Sequence, residues 1–113
     1  MEQEFLESLI PKRSEFLTEL REKSAREESY APIIEPQAEQ LLITMLAARK
    51  PRRVLEIGTA VGYSAILMAE NLPENSEIIT VERYKKHAEI AVDNVFAVGR
   101  EKQIRVIEGE AAE

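Results

Sequence analysis

Val54-Leu55-Glu56-Ile57-Gly58-Thr59-Ala60-Val61-Gly62-Tyr63-Ser64 is the stretch on which the fold turns. It reads as a buried strand that ends in a carboxylate, turns through a glycine loop and enters a helix. Such a transition is how α/β folds bring backbone N–H groups close to a ligand. The glycines follow a G-x-x-x-G spacing, not the G-x-G-x-x-G of a dinucleotide loop. Gly58 supplies close backbone approach or positive φ, and Gly62 lets the helix start against the ligand.

Working outward, the chain alternates strands and helices after this stretch. Residues 53–57 form the first strand, and a helix runs from Gly62 or Tyr63 to about Asn71. Leu72-Pro73-Glu74-Asn75-Ser76 is a turn, and Glu77 to Glu82 is a second strand. Tyr84 to Val98 is a helix with Tyr84, Ala88, Ala91, Val92, Val95 and Phe96 on one face, stopped by Gly99. Gln103 to Glu108 is a third strand. Two successive βαβ units with right-handed crossovers predict a parallel sheet with helices on its faces. The expected class is α/β, a Rossmann-like sheet with three strands and N-terminal helices.

Upstream, residues 2–10 and 14–28 read as helices, the first stopped before Pro11. In the second, Phe16, Leu17 and Leu20 make a narrow apolar stripe, as on a peripheral helix. Lys12, Arg13, Arg21, Lys23 and Arg26 cluster here, either as a local basic patch or, the preferred reading, as part of a solvated helix, since Glu15, Glu19, Glu22, Glu27 and Glu28 interleave with them. Residues 30–36 carry Pro32 and Pro36 and are irregular. Pro36 then opens a helix that carries Ala38, Leu41, Leu42, Met45 and Leu46 at the spacing of one helical face and stops at Arg49-Lys50-Pro51. The expected organisation is a helical segment, 1–30, followed by a cofactor-binding unit, 31–113.

Composition narrows the function. The 113 residues suit one small domain, with 44% hydrophobic and 32% charged residues. The net charge of −6 gives no overall footprint for nucleic acid. No cysteine is present, which removes disulfides, thiolate catalysis and cysteine–zinc sites. The acidic start is no signal peptide, and the apolar run from Leu41 to Ala48 is too short to span a bilayer. The expected location is cytoplasmic.

Glu56 and Glu82 are the residues that point to a ligand. A carboxylate inside an otherwise apolar strand is costly unless it is paired, hydrogen-bonded or at the strand's exposed carboxyl end. Beside the loop it would repel a pyrophosphate and suit a cation. S-adenosylmethionine, with a sulfonium and an ammonium, fits where NAD does not. The alternative is a salt bridge from Glu56 to Arg52 or Arg53. Ser64, in the first helical turn, either caps the helix or helps bind the methionine carboxylate. Glu82 closes the second strand, twenty residues beyond Gly62, where an acid accepts hydrogen bonds from ribose hydroxyls. His87, the only histidine, lies among Lys85, Lys86 and Glu89 and reads as a surface residue.

Residues 54–66 resemble the first motif of the class I S-adenosylmethionine-dependent O-methyltransferases, in the branch of the catechol and caffeoyl-CoA type. Ile79-Thr80-Val81-Glu82 looks like that family's ribose-binding strand, Ile107-Glu108-Gly109-Glu110-Ala111 its adenine loop, and residues 32–42 its entry segment. Among bacterial members the likeness is nearest to enzymes that methylate 5-hydroxyuridine in tRNA. The resemblance implies Glu56, Gly58, Tyr63 and Ser64 around the methionine end, Glu82 at the ribose, and Arg83, Glu110 and Ala111 near the adenine. Ile34 would approach the methyl-transfer region. It also implies a divalent metal such as Mg, whose ligands lie later in the family and have no counterpart here, and a homodimer in the full-length form. The acceptor would be a small-molecule hydroxyl or a tRNA hydroxyuridine, with no membrane partner.

The family's sheet has seven strands, and three are legible here, so the first strand is expected to be an open edge. The chain alone is then expected to bind cofactor weakly and to turn over nothing measurable. A non-catalytic binding or assembly module, pairing through that edge, is the alternative reading.

Overall fold

The computed structural model describes residues 14–27 and 33–110. The helix expected at residues 2–10 lies outside them. The elements are α1 (Glu15–Arg26), α2 (Pro36–Arg49), β1 (Arg53–Ile57), α3 (Tyr63–Glu70), β2 (Glu77–Glu82), α4 (Lys85–Ala97) and β3 (Ile104–Glu108). All three strands are parallel, in the order β1-β2-β3. Register pairs Glu56 with Thr80 and Glu82 with Glu108.

Element boundaries follow local chemistry. Ser14 caps α1, its hydroxyl accepting from the Leu17 N–H at 3.3 Å. Pro36 stands at the first turn of α2, and Lys50 closes that helix in the left-handed conformation. Gly99, at φ +69°, follows the last residues of α4. At its other end, α3 begins after Gly62, whose φ of +93° a side-chain-bearing residue rarely adopts.

The core forms around α3. Ala65 to Ala69 are all buried, and Tyr63 is 2% exposed, as expected of a helix that is apolar around its circumference. Against it pack Leu17 and Leu20 of α1, Ile43 and Leu46 of α2, and Ile78 and Ile104 of the sheet. Leu17 is fully buried, so α1 is part of the core and not a peripheral addition. Nor is Arg21 a solvated charge: its side chain is 21% exposed and ion-paired to the buried Glu39 at 3.1 Å.

Two helix faces differ from expectation. In α2 the buried residues are Glu39, Ile43 and Leu46, while Leu41 and Met45 are exposed. Apolar residues surround α2, so periodicity left its rotation open, and the pairing of Glu39 with Arg21 selects the inward face. In α4 the buried stripe is Ala88, Ala91 and Val95, and Tyr84, Val92 and Phe96 lie exposed beside it. Small residues face inward because α4 approaches the glycine loop closely: a Cβ on Gly62 would sit 3.5 Å from Ala91.

Helices were expected on both faces of the sheet. Successive right-handed crossovers in the order β1-β2-β3 put α3 and α4 on the same face. That face holds the buried Ile78, Thr80, Glu82 and Ile104. The opposite face carries Leu55 and Ile57, 68% and 61% exposed, alongside the half-buried Ile79, Val81 and Ile107. Among the described residues β1 is an edge strand, as expected.

Candidate cofactor site

The loop after β1 is pinned to the end of β2. Gly58 and Thr59 donate backbone N–H bonds to the Val81 carbonyl at 2.8 and 3.3 Å. Beyond them the Ala60 N–H donates to the Glu82 carboxylate at 2.8 Å. Three residues of this short loop take positive φ: Gly58 at +92°, Ala60 at +50° and Gly62 at +93°. Asn94 of α4 closes the loop from outside, donating to the Val61 carbonyl at 2.7 Å. The loop after β3 meets the same point, where the Gly109 N–H donates to the Glu82 carbonyl at 2.9 Å.

Glu56 is held by side chains rather than by a salt bridge. It accepts hydrogen bonds from the hydroxyls of Ser64 and, at 2.6 Å, Thr80. Since the Thr80 proton points to Glu56, Thr80 accepts from Thr59 at 2.5 Å, and a short hydroxyl relay backs the carboxylate. Burial raises the Glu56 pKa above the ordinary carboxylate value. The bonds from Ser64 and Thr80 oppose that rise, and the charge of Glu82 adds to it. The result is a carboxylate short of positive charge. Arg53, a candidate partner in the sequence, pairs instead with Glu77 at 3.3 Å.

In front of the loop lies a cavity of about 180 Å³ lined by Ile33, Ile34, Gly58, Thr59, Ala60, Tyr63 and Ser64. Four of the expected site residues, Ile34, Gly58, Tyr63 and Ser64, therefore meet at one place, and Glu56 joins them through Ser64. Tyr63 is fixed within this wall by donating its hydroxyl proton to Glu39. Burial first, then the bond to Glu39, pushes the Tyr63 hydroxyl above its ordinary pKa, so it stays protonated near neutrality.

The nucleoside half of the expected site is looser. Glu82 is only 5% exposed, and both its oxygens accept backbone protons, from Ala60 and, at 3.0 Å, from Tyr84. Each carboxylate oxygen keeps a further lone pair for a ligand hydroxyl. Arg83 is exposed, its guanidinium lying 5.0 Å over the Tyr84 ring, and His87 meets that ring edge-on at 5.7 Å. Glu110 is exposed, and Ala111 lies outside the described residues.

Arg21, Glu39, Thr59 and Thr80 were not singled out from the sequence. Thr80 had a signal, a hydroxyl inside the apolar run Ile78-Ile79-Thr80-Val81. Arg21 had a weaker one: it stands four residues after the buried Leu17 and so close to the apolar stripe. No group of three or more His, Cys, Asp or Glu side chains among the described residues could hold a metal ion.

Parallel strands in sequential order, with a glycine-turned loop at their carboxyl ends and an acid closing the second strand, define a Rossmann-like cofactor-binding fold of the class I methyltransferase type. The chain belongs to the O-methyltransferase family, whose model matches residues 7–113. It is 35% identical over 78 residues to a catechol O-methyltransferase of Niastella koreensis, covering 69% of this chain and 35% of that protein. It is 30% identical over 104 residues to a caffeoyl-CoA O-methyltransferase of Stellaria longipes, covering 92% and 43%. A solved O-methyltransferase of Bacillus cereus, in complex with S-adenosylhomocysteine, superposes with a TM-score of 0.78 at 27% identity, over 96% of this chain and 50% of that one. The chain thus spans half or less of the length of these relatives.

Proposed function

We propose that the protein binds S-adenosylmethionine as the methyl-donor portion of an O-methyltransferase acting on a hydroxyl acceptor. The observation that carries this reading is the partly buried Glu56 carboxylate, hydrogen-bonded to Ser64 and Thr80 beside the loop cavity and with no cationic partner among the described residues. A ligand ammonium or sulfonium answers that deficit, whereas a pyrophosphate would worsen it. When bound, the cofactor supplies an activated methyl group on a sulfonium. The chain's own part is binding and orientation. Glu56 attracts the cationic end, Ser64 and the first-turn N–H groups of α3 accommodate the carboxylate, and Ile33 and Ile34 wall the cavity with apolar surface. Glu82 takes the ribose hydroxyls, with Arg83 and the Glu110–Ala111 loop beside the adenine.

The acceptor is proposed as a small hydroxyl compound, in line with the catechol and caffeoyl-CoA enzymes, with a tRNA hydroxyuridine as the other candidate. A cytoplasmic location and a full-length homodimer complete this reading; no described helix is long and apolar enough to cross a membrane. In this reading a helical segment, 1–30, leads into the cofactor unit, 31–113, and contributes α1 to its core. An amide NMR titration tests it. S-adenosylhomocysteine should shift the signals of Gly58, Ala60, Gly62 and Ser64, and NAD should leave them in place. Shifts confined to other residues would defeat the reading.

A second reading, an assembly module, draws on the bare sheet face at Leu55 and Ile57 and the open β1 edge. Sedimentation decides between them: a discrete dimer that protects β1 amides from exchange favours the module.

A further inference from the structure

Arg21 lies outside every motif of the loop, yet it touches two of the segments that line the cavity and the neighbouring α2 as well. From α1 its guanidinium donates to the Ile34 carbonyl at 2.8 Å, to Glu39 of α2 at 3.1 Å and, through Nε, to the Tyr63 hydroxyl at 3.3 Å. Its central carbon also sits 4.9 Å from the centre of the Tyr63 ring. Ile34 and Tyr63 both line the cavity, one from the segment before α2, the other from the start of α3. A planar guanidinium spreads its donors over a fixed fork that reaches a carbonyl, a carboxylate and a hydroxyl while lying on a ring, whereas an ammonium has three donors on a single nitrogen.

Resting on the cofactor reading above, we propose that Arg21 is a positioning residue for the methyl donor's amino-acid end. It fixes the Ile33–Ile34 segment against Tyr63 and so sets the spacing of the cavity that receives that end. The assignment to the amino-acid end follows from the lining. Ser64, bonded to Glu56, borders this cavity, while Glu82, the proposed ribose acid, does not. Loosening Ile34 therefore disturbs one end of the ligand and leaves the nucleoside end in place.

The test compares two ligands that share nucleoside and sulfur: S-adenosylhomocysteine, and 5′-methylthioadenosine, which lacks the amino acid. Both are titrated against the unsubstituted chain, Arg21→Met, which keeps much of the stem but no donors, and Arg21→Lys. Arg21→Met should weaken S-adenosylhomocysteine about tenfold, the scale of a lost charged hydrogen bond, and methylthioadenosine by less than about twofold. Arg21→Lys should restore only part of the loss. If Arg21→Met fails to fold, as judged by its thermal melt, Arg21→Lys must itself show the selective loss. Equal weakening of both ligands, or no change in either, would overturn the positioning role while leaving the cofactor reading intact. Failure of the unsubstituted chain to bind either ligand would overturn both.

Discussion

Glu56 is pulled in two directions: burial favours its neutral acid, and the hydroxyls of Ser64 and Thr80 favour its anion. Burial prevails, and its pKa is raised in the folded chain. Because the folded value exceeds the unfolded one, the favourable contribution is full below the unfolded pKa and is lost as pH rises through the folded pKa. Cofactor binding runs the other way, since a cationic ligand needs the anion. Affinity for S-adenosylhomocysteine should fall as pH is lowered through the raised Glu56 pKa. Glu56→Gln should abolish that dependence and weaken binding at neutral pH about tenfold; titrations across pH check both. Gly62 offers a test of the loop independent of charge. At φ +93°, Gly62→Ala is strained although a Cβ would make only ordinary contact with Ala91, so urea unfolding should show a loss of about 1–3 kcal/mol. Glu56 and both loop glycines were legible because each breaks a local pattern, a charge in an apolar strand or glycines at a strand–helix turn. Arg21 and Glu39 break none: a charge among charges becomes visible only when two helices are brought together.

Among the elements, α3 is where sequence and structure agree most closely, because an apolar helix between a strand and a proline turn has one destination. The strands were equally readable, each rich in isoleucine and valine, and parallel order followed from the helices between them. Rotation of α2 and α4 was not readable. In α2 apolar side chains on several sides compete for the core; in α4 close approach to Gly62 selects alanines over Val92 and Phe96. The placement of α1 has a direct consequence. Leu17 is fully buried against α3's surroundings, so Leu17→Ala should cost about 2–5 kcal/mol in chemical unfolding. A cost below about 1 kcal/mol would mean that α1 is peripheral after all.

At the scale of the whole molecule, the sheet has, among the described residues, one dressed face and one bare face. Ile78, Thr80 and Glu82 are buried on the face that α3 and α4 cover, whereas Leu55 and Ile57 stand exposed beside a β1 edge that no described strand pairs. Adjacent apolar side chains next to free strand hydrogen-bonding groups invite self-association. Leu55→Thr, which replaces an apolar side chain by a polar, β-branched strand former, should leave thermal stability within about 0.5 kcal/mol and reduce concentration-dependent sedimentation. A large loss of stability would show that Leu55 is covered in solution. The central proposal, however, concerns the other face of β1 and the loop that follows it, where Glu56 and the glycines are proposed to seat the amino-acid end of a nucleoside cofactor. Calorimetric titration of the chain with S-adenosylhomocysteine and, separately, with NAD tests it most directly. The account predicts saturable binding of S-adenosylhomocysteine that Glu82→Ala weakens, and no binding of NAD; binding of NAD in its place, or of neither, would contradict it.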